Sequence, residues 1–161
     1  MRFVPPAASD PYYEVHLYET GQVRTRAGNR HDLFNALCWL AFPRTKARIN
    51  ALHAAEIPRE GGRRGRLRDL LTIFDEGGAL VACADAELNA LVRECRWKEL
   101  FWLHRERMRA AMRFIVVGHA VLEQAIDPWP GITCKALIVD PLQDADTQAS
   151  AWLAQLPADA S

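Results

Sequence analysis

The sequence predicts an α+β fold: a single compact domain, mostly helical, with short β-hairpins and a C-terminal strand. Three observations support this prediction. The 161 residues are enough to enclose one hydrophobic core. Half of them are hydrophobic and a quarter are charged, which are ordinary values for a globular protein. Helical and strand patterns follow one another irregularly, without the strict strand–helix–strand order of a parallel α/β fold.

The N-terminal part is predicted to hold an extended arm followed by a hairpin. Residues 1–11 contain three prolines, which favour an extended chain. Residues 12–18 are rich in aromatic and β-branched side chains, which is typical of a strand. Gly21 then supplies a turn, and residues 22–25 are predicted to return as a second strand.

Two consecutive helices are predicted next. Asn29 is a favourable N-cap, and Asp32 stands at the third helical position, which approximates a capping box. Residues 33–42 are apolar almost all round, so we expect this helix to be buried on most sides. The second helix covers residues 43–57, because a proline opens it and another proline follows it.

The middle of the chain is predicted to form a loop, a hairpin and a third helix. Residues 58–66 (PREGGRRGR) form the loop, which is rich in glycine and arginine. Residues 70–74 and 79–83 are apolar and flank the turn sequence Asp-Glu-Gly-Gly, a pattern that predicts a β-hairpin. Asp85 then caps a helix that extends to about residue 95.

The C-terminal third is predicted to be helical around one strand. A charged helix covers residues 97–113. Residues 114–126 are very apolar and predict a buried helix, although the composition of residues 113–117 also fits a strand. Residues 132–139 predict the C-terminal strand, and residues 144–156 predict a short amphipathic helix that closes the fold.

The charge and cysteine content narrows the classes of partner. The 20 basic and 20 acidic residues balance, whereas a nucleic-acid-binding domain usually has a basic excess. Nothing resembles a signal peptide or a membrane span, so we expect a cytoplasmic protein with no membrane partner.

The four cysteines lack C-x-x-C spacing, which argues against a zinc knuckle and favours a reducing compartment. Cys38 and Cys134 lie in apolar segments and are predicted to be buried.

Four segments together resemble one protein family. They are residues 25–53 (TRAGNRHDLFNALCWLAFPRTKARINALH), 68–78 (RDLLTIFDEGG), 118–126 (GHAVLEQAI) and 130–139 (PGITCKALIV). This set resembles the uncharacterised bacterial family catalogued as domain of unknown function number 3025. The resemblance covers nearly the whole chain, residues 1–161, but implies no particular chemistry. Family members often have more residues before the first strand, which implies a short member or one that lacks an N-terminal portion.

The start of the first long helix carries one group of candidate site residues. His31, Asp32 and Asn35 are polar side chains on an otherwise apolar helix, so they need partners or a cleft. His31 and Asp32 are candidates for a metal-ligand pair or an acid–base pair. The alternative is structural, because Asp at this position of a helix already acts in capping.

A second group consists of His119 and Glu123. Their i, i+4 spacing places both on one face of a helix, among apolar residues. A glutamate there needs a partner, because an isolated buried charge is very costly. The pair could be a metal site, a general base with its orienting histidine, or a structural ion pair.

A third group lies on one stripe of the second helix. Lys46, Asn50 and His53 fall within an arc of about 60°. A cation, an amide and an imidazole there could hold an anionic substrate, with Arg24 and Arg26 as further contacts. The alternative is a solvated helix edge.

The remaining motifs give weaker evidence for a catalytic or metal site. Asp75 and Glu76 precede two glycines and are explained by a turn, although a carboxylate there could also join a metal site. The chain has no Walker-type loop and no G-x-S-x-G or H-E-x-x-H motif.

The leading hypothesis is a hydrolase-type enzyme in which these groups meet in one cleft and act on an anionic small molecule. The cofactor is open: either a divalent metal ion or a direct acid–base pair would activate water. The candidate catalytic residues are His31, Asp32, His119 and Glu123. The candidate substrate-binding residues are Lys46, Asn50, Arg24 and Arg26. The candidate metal ligands are His31, His53, His119 and Glu123.

A non-enzymatic binding module is the alternative hypothesis. Its arginine-rich loop would contact an acidic partner or RNA, although the balanced charge does not favour nucleic acid. The arginines concerned are Arg59, Arg63, Arg64, Arg66 and Arg68.

Overall fold

The computed structural model describes residues 1–6, 12–60 and 64–156. The helices in these ranges are α1 (Tyr13–Thr20), α2 (Arg30–Ala41), α3 (Pro43–Glu56), α4 (Arg66–Gly77), α5 (Ala86–Arg93), α6 (Arg105–Ala111), α7 (His119–Gln124) and α8 (Ala145–Leu153). The strands are β1 (Arg2–Val4), β2 (Gln22–Arg24), β3 (Gly78–Ala82), β4 (Arg113–Val116) and β5 (Lys135–Val139). A 3₁₀ turn covers Ile57–Arg59, and a π-helical turn covers Glu99–Leu103. Mainly helical elements around small sheets confirm the α+β class.

The central element is β3, all five residues of which are buried. It lies between β4, which runs antiparallel to it, and β5, which runs parallel to it. Leu80 is the middle residue of β3 and lies opposite Ile115 on one side and Leu137 on the other. Side chains along a strand alternate between faces, so β3 contributes to two cores.

One core contains Leu80 and Ala82, and the other contains Val81 and Cys83. The first core packs β3 against α3, α4 and α8 through Ile49, Leu67, Leu71, Phe74, Val117, Val139, Ala149 and Leu153. The second packs it against α5 and α6 through Leu88, Leu91, Val92, Leu100, Met108 and Met112. A third cluster joins α1, β2 and α2 through Leu17, Val23 and Trp39.

The predicted strand at residues 12–18 is wrong, because this segment forms α1. Tyr13 and Leu17 belong to the same cluster, and a helix brings residues four apart within about one turn of each other, whereas a strand would separate them by about 13 Å. Gly21 has φ +65° and donates its N–H to the Leu17 carbonyl, so it ends a helix instead of turning a hairpin. The strand at β2 is confirmed, but it pairs in parallel with β1, inside the predicted extended arm.

The predicted hairpin over residues 70–83 is also wrong, since α4 replaces its first strand. Leu67, Leu71 and Phe74 are spaced at i, i+4 and i+7 and are all buried in the first core. The second strand is confirmed as β3. The short apolar run at residues 70–74 fits the residue spacing of either a strand or a helix. The longer buried stripe that begins at Leu67 has the spacing of a helix.

The predicted burial of the first long helix is only partly confirmed. Within α2, Cys38 and Trp39 are buried, but Leu33, Leu37 and Leu40 are exposed. The cap is as predicted, since the Asn29 side chain accepts the Asp32 N–H. Helices α3, α5 and α8 are also confirmed, with Asp85 and Asp144 as side-chain N-caps of α5 and α8.

Residues 114–126 do not form one helix. The strand alternative is correct for Arg113–Val116, which pairs with β3, and α7 is a separate short helix. All four cysteines are free thiols; Cys38 is buried as predicted, whereas Cys134 is exposed. In the described part of the chain, no helix is long and apolar enough to cross a membrane.

Candidate functional site

A cleft of about 350 Å³ lies between the first helices and the ends of α4 and α7. Helix α1, the turn after β2, and helices α2, α3, α4 and α7 all contribute to its walls. Its polar lining consists of Tyr13, Glu14, Arg24, Arg26, His31, Asp32, Asn35, Lys46, Asn50, His53, Thr72, Asp75, Glu76 and His119. A cavity of this size accepts a small molecule.

His31 and His119 are in direct contact in the wall of this cleft. Their Nε2 atoms are 3.0 Å apart, and the rings meet edge to face with centroids 4.5 Å apart. The other nitrogen of His31, Nδ1, lies 3.0 Å from Glu123 Oε2. Glu123 and His119 therefore hold the His31 ring from both of its nitrogens.

The chain brings these three side chains together from segments about 90 residues apart. His31 is the second residue of α2, just after the Asn29 cap, and α2 packs against α7. His119 begins α7, and Glu123 lies one turn further along, so both face α2. The i, i+4 spacing seen in the sequence is what lets one short helix contact both sides of a single imidazole.

His119 is also anchored to the end of α4. Its Nδ1 atom is 2.8 Å from the Asp75 backbone carbonyl and 3.6 Å from the Asp75 carboxylate. Gly118 makes this approach possible, because a Cβ atom there would lie 2.4 Å from the Glu76 carbonyl oxygen. A side chain at residue 118 would therefore push α7 away from α4.

A buried ion pair forms the floor of the cleft. The Lys46 side chain is 3% exposed, and its ammonium donates to Asp75 Oδ1 at 2.5 Å and to Asn35 Oδ1 at 2.8 Å. The predicted alternative of a solvated helix edge is wrong, since Lys46, Asn50 and His53 are all buried on α3.

The remaining residues of the predicted stripe also have internal partners. Asn50 donates its amide to the Glu14 carbonyl at 2.8 Å. His53 Nδ1 accepts from Arg68 Nε at 3.2 Å, and Arg68 is paired with Glu60. Both side chains line the cleft while tying α3 to α1 and α4.

Asp32 and Arg26 are paired with each other. The Asp32 carboxylate accepts from the Arg26 backbone N–H at 2.7 Å and from two guanidinium nitrogens at 2.8 Å each. The hydrogen bond from the Arg26 side chain holds the pKa of Asp32 below its ordinary value. The predicted catalytic carboxylate thus closes the turn before α2, and the Arg26 side chain remains largely exposed.

Burial changes the protonation of several groups in the cleft. It lowers the pKa of His119 and of His53 below their ordinary value, because an apolar environment disfavours the charged ring. It raises the pKa of the Tyr13 phenol to about 12. At neutral pH, His119 is therefore a neutral ring with one N–H.

The predicted metal site stays a prediction. His31 and His119 are brought together, as a metal pair requires, and His53 lines the same cleft. Across residues 1–6, 12–60 and 64–156, however, no group of three or more His, Cys, Asp or Glu side chains could hold a metal ion. Any ion at this site would take its remaining ligands from water or substrate.

A family model described as "Protein of unknown function (DUF3025)" matches residues 1–160. The chain belongs to this family. The match confirms the resemblance carried by the four sequence segments, three of which supply the candidate site residues of α2, α3, α4 and α7. Comparison of this DUF3025 chain with curated proteins and with solved structures gives no match.

Asp75 and Asn35 were not among the catalytic, substrate-binding or metal-binding residues predicted from the sequence of this DUF3025 chain. Asp75 contacts both Lys46 and His119, but the two following glycines suggested a turn. The helical pattern contained the missing signal, because Asp75 continues the buried stripe of Leu67 and Leu71 at i+8. A polar residue on such a stripe indicates a buried partner or a cleft.

Proposed function

We propose that this protein is a hydrolase-type enzyme in which the His31–His119 pair transfers protons to and from a substrate in the cleft. The observation that supports this proposal is the 3.0 Å contact between the two Nε2 atoms. Each Nδ1 atom lies against a hydrogen-bond acceptor, which fixes where the ring protons are.

The positions of these protons follow from the partners of the two rings. A backbone carbonyl can only accept, so His119 Nδ1 carries the proton that it donates to Asp75. An ionised Glu123 likewise requires a proton on His31 Nδ1. If both rings were neutral, two Nε2 lone pairs would face each other at 3.0 Å, which is repulsive. One additional proton between the rings satisfies every contact.

The two histidines have different roles in this proposal. His31 is the proton donor and acceptor, because its side chain is 41% exposed, whereas that of His119 is only 6% exposed. Its Nε2 proton would leave the contact with His119 for a substrate atom that enters the cleft beside the pair. His119 is a positioning residue that accepts the His31 Nε2–H and remains anchored to Asp75. Glu123 orients His31 through its Nδ1 atom, as a carboxylate does behind a catalytic histidine.

The proposed substrate is an anionic small molecule with a hydrolysable bond, such as a phosphoester. Arg24 and Arg26 line the cleft; Arg26 is paired with Asp32, but its side chain is still largely exposed and could share its charge with a substrate. Guanidinium groups suit bidentate contacts to phosphate or carboxylate. Lys46 and Asn50 line the same cleft, but their polar groups are already bonded within the protein. In this proposal they hold the wall of the cleft in place and do not bind the substrate directly.

A divalent metal ion is the alternative means of activating water at the same pair. Two Nε2 atoms that face each other, each with an acceptor behind its Nδ1, also resemble the histidine ligands of a zinc ion. The Asp75 carbonyl and the Glu123 carboxylate would be the outer partners. Elemental analysis of protein purified without chelator distinguishes an ion from a shared proton.

The binding-module hypothesis receives less support from the described arginines. Arg59 pairs with Glu56, Arg64 with Asp69 and Arg68 with Glu60. Arg63 lies outside the described residues. Carboxylates that already neutralise a loop reduce its attraction for an acidic partner, so contact with such a partner or RNA stays a prediction.

The test is a hydrolysis screen of phosphate monoesters, phosphate diesters and carboxylic esters with four matched variants. We expect His31→Gln to lower kcat by about 100-fold or more, as loss of a general acid or base does. His119→Gln and Glu123→Gln should lower kcat less and shift its pH profile, as positioning residues do. His104→Gln, outside the cleft lining, is the control and should retain activity. Hydrolysis that His31→Gln leaves unchanged, or no hydrolysis with or without added metal, would refute the proposal.

A further inference from the structure

An exposed apolar cluster lies on the side of the central sheet away from the cleft. Phe114 of β4 pairs with Val81, whose side chain belongs to the second core, while α3 and α4 pack on the first. Two consecutive residues of the π-helical turn are especially exposed: Trp102 at 71% and Leu103 at 65%. We call the cluster the aromatic patch; its members are Trp97, Phe101, Trp102, Leu103 and Phe114.

Three rings of the aromatic patch are in contact with one another in sequence, and Trp102 and Leu103 directly follow one of them along the chain. Trp97 stacks on Phe101 with ring centroids 6.1 Å apart, and Phe101 contacts Phe114 at the same distance. Isolated exposed apolar residues are common on protein surfaces, but contiguous patches usually mark an interaction site.

Positive charge is concentrated in the segment that carries this patch, although the whole chain is neutral. Residues 96–114 include six basic and two acidic residues. Arg96 and Arg107 are held by carboxylates in ion pairs. Four further cations in this segment are exposed: Lys98, Arg105, Arg109 and Arg113.

We propose that the aromatic patch docks on an anionic membrane surface. Trp, Phe and Leu side chains partition into the boundary between headgroups and acyl chains, and flanking Lys and Arg side chains attract anionic lipids. The protein would lie on the surface without spanning the bilayer. This proposal departs from the sequence-based expectation of no membrane partner, which considered only spanning segments.

Two other occupants fit the patch less well. A second copy bound by two-fold symmetry would bring the same cations toward each other, which is repulsive. Single-stranded nucleic acid binds by stacking bases on free ring faces. Here Trp97 and Phe101 already stack on each other, and Leu103 has no ring. Insertion into lipid, by contrast, uses aliphatic and aromatic side chains alike.

Cosedimentation of the full chain with vesicles of phosphatidylcholine, with and without phosphatidylglycerol, tests this proposal. We expect binding to the phosphatidylglycerol vesicles that weakens with added salt. The double variant Trp102→Ser/Leu103→Ser should bind at least about tenfold more weakly. Arg105→Glu/Arg109→Glu should lose about fivefold or more for each cation removed.

Matched controls separate the patch from general surface effects. Trp129→Ser removes another half-exposed tryptophan, and Arg48→Glu reverses an exposed charge on α3; both should bind like the unaltered protein. The proposal is overturned if the unaltered protein fails to sediment with phosphatidylglycerol vesicles, or if the patch variants bind as tightly as the controls. It is also overturned if polyuridylate or polyglutamate binds the patch while vesicles do not.

Discussion

At the scale of single residues, the cleft depends on polar side chains that are buried and paired. His119 has its Nδ1 atom on a backbone carbonyl and its Nε2 atom on a second imidazole. Lys46 has its charge matched by Asp75 and Asn35. Each contact offsets the cost of removing a polar group from water, so loss of one partner has a measurable effect.

The lowered pKa values of His119 and His53 predict how stability depends on pH. In the folded chain both rings remain neutral at pH values where they would be protonated in the unfolded chain. The unfolded chain then binds more protons, so the free energy of unfolding falls as pH decreases below the ordinary value of 6.5. Above that value their contribution is constant. Urea unfolding from about pH 7.5 to about pH 5.5 should show this loss.

The variant His119→Gln isolates one of the two contributions. Because it removes a group whose folded pKa is depressed, it should lose less stability over the same pH interval than the unaltered protein does. Identical pH dependence of the two proteins would show that His119 protonates equally well in the folded and the unfolded chain.

Asp75→Asn tests the buried ion pair. The substitution leaves the 3% exposed Lys46 ammonium without a carboxylate, and we expect a loss of about 3 kcal/mol in the free energy of unfolding. Asp69→Asn is the control, because Asp69 pairs with Arg64 while 58% exposed and should cost less than about 1 kcal/mol. Equal small losses in both variants would mean that Lys46 does not need its partner.

At the scale of elements, two contacts set how the helices around the cleft are placed. The N-terminus of α3 is capped from α8, since Asp146 accepts the Arg44 and Thr45 backbone N–H groups at 2.9 and 2.8 Å. The start of α7 lies against the end of α4 at Gly118. The first contact holds α3 and its Lys46 in place, and the second holds His119.

Gly118→Ala should disturb the second contact. Its new Cβ atom would lie 2.4 Å from a backbone oxygen, and we expect a loss of about 1–3 kcal/mol with weakened packing of α7 on α4. Gly77→Ala is the control, because nothing lies within 4 Å of its Cβ position and stability should be unchanged. Chemical denaturation of both variants distinguishes this steric effect from a general intolerance of alanine in the segment.

Asp146→Ala should destabilise the start of α3. Loss of a carboxylate cap that serves two N–H groups costs about 1–2 kcal/mol in the free energy of unfolding. Asp127→Ala, at an exposed position, should change that value by less than about 0.5 kcal/mol. If the two variants unfold at the same urea concentration, the cap contributes nothing.

At the scale of the whole molecule, features that depend on residues close in sequence were predicted correctly more often than contacts between distant segments. The predicted caps at Asn29 and Asp85 correctly located helix starts, because a cap is a contact between near neighbours. The two hairpins failed because residues 12–18 and 70–74 are short enough to fit either a strand or a helix. Packing in the third cluster decided for the helix α1, and packing in the first cluster decided for the helix α4. Parallel pairing of β1 with β2 has no local signature.

The candidate site was likewise predictable only where its residues lie close together in the sequence. His119 and Glu123 could be placed together because a helix fixes their spacing, and His31 was selected as a polar residue on an apolar helix. Their convergence depends on α2 packing against α7, which one sequence cannot reveal. Asp75 was missed because its role depends on α4 being a helix.

The central claim is that His31 and His119 hold one shared proton at the cleft, and ¹⁵N NMR of the imidazole rings tests it most directly. The account predicts that His119 is protonated at Nδ1 and that, when the pair holds its additional proton, this proton lies on His31 Nε2. In Glu123→Gln, the His31 Nδ1 resonance should move, because its carboxylate partner is gone. A His119 ring protonated at Nε2 in the unaltered protein would contradict the account, since that tautomer cannot donate to the Asp75 carbonyl.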